Sequence, residues 1–158
     1  MILSTHAIVG GAIASHLPTH PIIAIALCFA SHFIIDAIPH WDYPLRSISV
    51  APGHGRQLKL SSPLLFDAAV IGFDAAVGLL LAIILFATPA TIMTVILGVV
   101  AAMLPDPLQF IYSLYPREPL VSLQRFHRWV HTKHKLTWPL GITSQIIFAA
   151  AVAAMSLA

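Results

Sequence analysis

Charge is scarce in this chain. Lys, Arg, Asp and Glu make up 9% of its 158 residues, too few to clothe a compact body of that size in water-seeking groups. This excludes an ordinary soluble domain, and with 58% hydrophobic residues much of the surface must face lipid. Cysteine is nearly absent. Cys28 stands alone within an apolar run, which excludes an intrachain disulfide or a thiolate zinc site and reads as a small core side chain. The 8 Lys and Arg residues are confined to two loops and form no stripe, so nucleic acid is not expected as a partner. The N-terminus, Met1-Ile2-Leu3-Ser4-Thr5-His6, lacks the basic region of a cleavable signal, and the mature chain is expected to begin there.

What is present is a series of apolar runs punctuated by proline. They predict an all-α fold: a polytopic membrane helix bundle, one domain over 1–158, with about five membrane helices and an interfacial amphipathic helix. Helices are expected over 3–17, 22–38, 64–87, 91–104 and 138–157, with Pro18, Pro39, Pro89 and Pro105 at the breaks. At about 1.5 Å per residue the first and fourth reach only about 20 to 23 Å, against a hydrocarbon core of about 30 Å. Residues 120–135 carry Leu123, Phe126 and Val130 on one side and Arg125, Arg128 and Lys133 elsewhere, a pattern suited to the membrane interface. Arg46, Arg56 and Lys59 follow the second helix, and Arg117, Arg125, Arg128, Lys133 and Lys135 follow the fourth. The other connections have no positive charge, so both basic loops are expected to face the cytoplasm in a multi-pass protein of the cytoplasmic (inner) membrane. Stretches 1–45 and 62–112 also read as a weak internal repeat, since each delivers a polar residue just past a proline, His40 after Pro39 and Asp106 after Pro105. Two unrelated helix-ending prolines account for that pattern equally well.

On this topology the ionisable residues gather at the inner end. His6 begins the first helix, His32 and Asp36 lie in the last turns of the second, His40 and Asp42 follow it, Asp67 opens the third, and Asp106 closes the fourth. His127 and His131 lie on the interfacial helix at the same side, and Asp74 shares a helix face with Asp67, about 10 Å deeper. A charged group in hydrocarbon is costly without a partner, and the apolar segments hold no Lys or Arg. A divalent cation supplies the missing charge. The pairs His32/Asp36 and His127/His131 are four residues apart, so each pair shares a helix face and can reach one ion. The ligands expected are His6, His32, Asp36, His40, Asp106 and His127, with Asp67 and His131 next and assigned the catalytic roles. Nitrogen and oxygen donors without thiolate favour zinc first and manganese second. The candidates outnumber the four to six ligands that one ion takes, so either two ions bind or some residues support ligands and act as bases.

Plainer roles stand beside these. His32 with Asp36 reads equally as a hydrogen-bonded pair locking two helices, and Asp74 as a supporting or structural acid. His16, His20 and His54 read as surface histidines, and His134, between Lys133 and Lys135, as part of a basic cluster for anionic lipid.

Four short motifs, Thr5-His6-Ala7-Ile8-Val9-Gly10-Gly11, Ser31-His32-Phe33-Ile34-Ile35-Asp36, Leu104-Pro105-Asp106 and His127-Arg128-Trp129-Val130-His131, together resemble those of the bacterial inner-membrane, membrane-bound metal-dependent hydrolase family. The chain departs from the pattern where Pro107-Leu108 follow Asp106 in place of a further Asp, and where the Ser-His-x-x-x-Asp element comes early; Pro39-His40-Trp41-Asp42 stands in for the missing Pro-Asp-x-Asp. The resemblance implies metal-dependent hydrolysis. A site at headgroup depth, flanked by Arg46, Arg125, Arg128 and Lys133, suits an anionic amphiphile, and the expected substrate is a phosphoester of a phospholipid or polyprenyl phosphate. Two other readings are open: a metal-ion or proton transporter, which needs polar groups in the outer half as well, and a non-enzymatic scaffold whose buried polar residues only lock helices together.

Overall fold

The computed structural model describes residues 1–51, 55–58 and 62–158, with side chains described for 1–47 and 63–158. His54 and Lys59, read above as a surface histidine and a loop cation, lie outside the described residues, as does the side chain of Arg56. Seven helices are present among the described residues: α1 (Leu3–Ser15), α2 (Pro21–Asp36), α3 (Ser62–Phe86), α4 (Ile92–Met103), α5 (Pro105–Leu114), α6 (Leu120–Val130) and α7 (Trp138–Leu157). Between α2 and α3, strands β1 (Ile48–Ala51) and β2 (Gly55–Leu58) form an antiparallel hairpin, in register from Ile48 opposite Leu58 to Ala51 opposite Gly55. The sequence reading did not anticipate this hairpin.

The architecture is helical, as expected, but among the described residues only two helices are long and apolar enough to cross a membrane, Pro63–Phe86 and Trp138–Leu157. Helices α4 and α5, bent by 45° where they meet, make a third when taken as one broken span. Five full spans do not follow from helix length. Helices α1 and α2 have 13 and 16 residues, hence reach roughly 20 and 24 Å, short of a hydrocarbon core of about 30 Å. Pro105 does not simply end a helix. Occupying the first position of α5, where its missing N–H is no loss and its fixed φ suits a helix, it starts a new one at an angle.

Helix α1 is the centre of the bundle. It packs against α2, α3, α4 and α7, and every residue from Thr5 to Ala12 is buried. Glycines let the backbones approach. A Cβ on Gly98 of α4 would lie 2.5 Å from the Ala14 Cβ, and one on Gly78 of α3 would lie 2.5 Å from the Ser4 Cα. Such small-residue contacts serve helix packing in lipid, where apolar area gives little drive. The interior beyond the polar end is apolar, with Ala12, Ala14, Ala24, Cys28, Val95 and Val99 in one cluster, and Cys28 is buried as expected. The outer faces are apolar too. Phe73, Leu80 and Ile84 of α3 and Ile146, Ile147 and Met155 of α7 are all exposed, as lipid-facing side chains are.

The candidate metal centre

The first residues of α1 are fixed by three buried or half-buried side chains from other elements. The backbone N–H of Ile2 donates to Gln145 Oε1 on α7 at 2.8 Å, that of Leu3 to the Tyr43 hydroxyl at 3.0 Å, and that of Ser4 to Asp74 Oδ2 on α3 at 2.9 Å. The Tyr43 hydroxyl in turn donates to Asp74 at 2.5 Å. Burial, and then this bond to Asp74, raises the Tyr43 phenol above its ordinary value. These groups satisfy amides that a helix start leaves unpaired, so Asp74 is structural. They also set the depth of His6.

A second set of constraints holds the other carriers. Pro39 forbids continuation of α2, and the chain beyond runs beside the segment after α6: the Thr132 N–H donates to the Asp36 carbonyl at 2.9 Å, and the Leu136 N–H to the His40 carbonyl at 3.0 Å. Helix α6 stops at Val130, five residues before the expected end, and the exit from it is what makes this pairing. Gln124 and His127 are buried against the protein, whereas Arg125, Phe126, Arg128 and Trp129 are exposed. Gln124 donates to Gln109 of α5 at 3.0 Å, which anchors that face.

These elements bring the side chains together around Asp36, which is 1% exposed. Asp36 Oδ2 lies 3.2 Å from His32 Nε2, 3.1 Å from His127 Nε2 and 3.8 Å from His131 Nε2. Oδ1 lies 3.3 Å from His6 Nε2 and 3.9 Å from His40 Nε2. Asp106, on the first turn of α5, reaches within 3.6 Å of His32 Nε2. Two groups have ligand atoms all within 4.8 Å of one another: His32, Asp36, Asp106 and His127, and Asp36, His40 and His131. The other five expected ligands therefore gather around the carboxylate of the sixth, Asp36, and His131 joins them. His6 belongs to neither group, but its ring stacks on that of His32 with centroids 4.0 Å apart.

Asp67 is not brought into either group. Its Oδ2 accepts from the Arg46 and Ser47 backbone N–H groups, both at 2.8 Å, and from the Ser47 hydroxyl at 2.7 Å, which shapes the loop entering the hairpin. Asp42, not among the expected ligands, is brought in: its Oδ1 lies 2.8 Å from His40 Nε2 and its Oδ2 pairs with Lys135. The signal was present in the sequence, because residues two apart in extended chain point the same way. Burial alone would raise the Asp42 carboxyl, but His40, the Met1 ammonium and Lys135 outweigh it and hold the group well below the usual carboxylate range. His16 and His20 are exposed at the far end of α1, and His134 is exposed after α6.

The proton positions of three rings follow from their partners. Nδ1 of His32 donates to the Ala102 carbonyl at 2.9 Å, Nδ1 of His40 to the Ile38 carbonyl at 2.7 Å, and Nδ1 of His131 to the Thr132 carbonyl at 3.0 Å, since a carbonyl can only accept. In a neutral ring the other nitrogen, Nε2, is then a lone pair, and all three point at the carboxylates. Burial lowers His131 from the ordinary imidazole value, against the opposing pull of the Thr132 carbonyl, Asp36 and Asp42, so this ring is neutral at pH 7. Among the described residues, neither nitrogen of the fully buried His6 nor Nε2 of His32 has a hydrogen-bond partner. Lone pairs aimed at carboxylates repel unless a cation lies between them. The donor set, imidazole and carboxylate with Nδ1–H groups anchored on carbonyls, is that of a first-row divalent metal site, and the residues fit such an ion. No protein family, characterised protein or solved structure matches this chain.

Proposed function

We propose that this protein is a membrane-embedded, divalent-metal-dependent hydrolase, working at the cytoplasmic face of the inner membrane on a phosphoester of a lipid or similar amphiphile. One observation carries the metal: the Nε2 lone pairs of His32, His40 and His131 converge on Asp36 while their Nδ1–H groups are committed to backbone carbonyls. His32, Asp36, Asp106 and His127 would hold the ion, with zinc the first choice and manganese the second for a nitrogen and oxygen donor set. A divalent cation there supplies a Lewis acid that polarises a phosphoryl oxygen and makes nearby water easier to deprotonate near neutral pH. Hydrolysis itself rests on the resemblance of the four motifs to the membrane-bound metal-dependent hydrolases.

The surroundings support an amphiphilic substrate. A groove of about 460 Å³ between α2 and α6 is lined by Phe29, Ala30, Phe33, Ile34, Phe126 and Val130, wide enough for a hydrocarbon chain. Phe33 joins groove to site, its ring meeting those of His32 and His127 edge-on, each with centroids 5.4 Å apart. Exposed Trp129 and Trp138 suit the headgroup region, and Arg46, Arg125, Arg128 and Lys133 suit an anionic headgroup. With α1 enclosed by other helices and α2 short, the crossing is assigned to α3, α7 and the bent α4–α5 pair. Transport is disfavoured, because among the described residues the interior between the cluster and the far end is an apolar core of side chains such as Ala12, Ala14, Val95 and Val99.

The scaffold reading has one observation on its side. The Met1 ammonium lies 2.7 Å from Asp36 Oδ1, 2.9 Å from His40 Nε2 and 3.1 Å from Asp42 Oδ1, and so supplies a positive charge without a metal. Phosphate release from phosphatidic acid and polyprenyl diphosphate by detergent-purified protein tests the hydrolase. Release that chelator abolishes, zinc or manganese restores and Asp106→Ala lacks supports it; a metal-loaded protein inert on such phosphoesters refutes it.

A further inference from the structure

We propose that the cluster is built for two cations that share the Asp36 carboxylate, an inference that rests on the metal reading above and extends it. The donors form two groups that share that carboxylate. On the Oδ2 side stand His32 and His127, with Asp106 beside His32. The other group holds His40, 3.9 Å from Asp36 Oδ1, and His131, 3.8 Å from Asp36 Oδ2; Asp42 links the two, with its own Oδ1 2.8 Å from His40 Nε2 and its Oδ2 3.6 Å from His131 Nε2. Each set, counting Asp36 in both, offers two imidazole nitrogens and two carboxylates. A first-row ion binds nitrogen and oxygen donors at about 2.0–2.2 Å, so one ion cannot gather both sets across Asp36.

The second set has its own signs of construction for a cation. His40 is fully buried, and the Nδ1–H groups of His40 and His131 are held by the Ile38 and Thr132 carbonyls, which turns both Nε2 atoms towards Asp42 and Asp36. A positive group already stands there: the Met1 ammonium touches Asp36 Oδ1, His40 Nε2 and Asp42 Oδ1, taking the lone pairs that a metal ion would use. It marks the position as one that accepts a cation. A metal ion entering the set displaces this ammonium or takes its neutral amine as a further ligand. Carboxylate-bridged pairs suit phosphoryl transfer because two ions stabilise the attacking and the leaving oxygen together. In this arrangement His131 is a ligand of the second ion and not the general base.

Manganese(II) is the probe. Metal-stripped wild type in detergent is dialysed against it, metal per chain is counted by elemental mass spectrometry, and the electron paramagnetic resonance spectrum is recorded. Two ions per chain with an exchange-coupled spectrum are expected. His40→Ala is expected to keep one ion and show an uncoupled spectrum, and His127→Ala likewise. Asp42→Asn, milder for folding, is expected to weaken the second ion at least about 10-fold and leave the first. A wild type that takes one ion in any excess overturns the second site while leaving the metal reading intact, and so does a His40→Ala protein with two coupled ions. A folded wild type that binds neither manganese nor zinc overturns both.

Discussion

Replacing Asp36 by Asn keeps the volume and removes only the charge on which the cluster converges. Five imidazole Nε2 atoms lie 3.1 to 3.9 Å from its two oxygens, and it is the one residue common to both ligand groups. Loss of a group that merely supports a ligand costs about 10- to 100-fold in metal affinity, so loss of the shared ligand is expected to cost at least about 100-fold. The consequence is visible in thermal stability. A metal present at 100 times its Kd stabilises the folded state by about 2.7 kcal/mol, which for a chain of this size is a rise in Tm of about 5 to 11 °C. At the same concentration the Asn variant is at best half-saturated and gains about 0.4 kcal/mol, under about 2 °C. Tryptophan fluorescence of detergent-purified protein, heated with and without zinc, reads both shifts. Equal shifts in the two proteins would refute the assignment of Asp36 as the hub.

Other substitutions separate the site from its frame. Gly98→Ala puts a Cβ 2.5 Å from that of Ala14 and 3.0 Å from Cys28 Sγ, and is expected to cost about 1–3 kcal/mol of stability by thermal unfolding while the folded fraction still binds metal. Tyr43→Phe strips a partner from the Leu3 amide and from Asp74, with an expected loss of about 1–3 kcal/mol and unchanged metal per chain. Asp67→Asn unsettles the loop at Arg46 and Ser47 and is expected to leave metal content as in wild type, since its carboxylate is occupied by backbone and hydroxyl donors; loss of metal would return Asp67 to the site.

Much of the helical layout was legible in the sequence because proline and apolar run length are strong local signals. Helix α7 falls on the expected 138–157, and α3 lies within two residues of expectation at its start and one at its end. Number of crossings was not legible. A short, mostly apolar run of 13 residues looks alike whether lipid or protein surrounds it, and only packing reveals that α1 is enclosed by four other helices. Pro105 is equally ambiguous, since the same residue ends one helix and begins the next. On α6 the amphipathic pattern was legible, but that Gln124 and His127 are the residues it buries against the protein was not, since that depends on what α2 and α5 present to it.

The convergence of His6, His32, Asp36, His40, Asp106 and His127 was legible because buried ionisable residues at one depth of an apolar protein need a common partner. Their individual roles were not. Asp67 and Asp106 both sit near a helix start, yet one is taken up by loop amides and the other is left beside His32, a difference made by backbone from distant sequence. The carbonyls that orient His32, His40 and His131 carry no sequence signature at all.

The most direct test of the central claim is the metal content of protein purified in detergent without added metal, wild type beside His32→Ala and Asp106→Ala, by elemental mass spectrometry. Near-stoichiometric zinc or manganese is expected in wild type and its loss in both variants, whose substitutions lie on separate helices. Metal-free wild type that stays metal-free after exposure to zinc and manganese would contradict it and leave the cluster a helix-locking polar core.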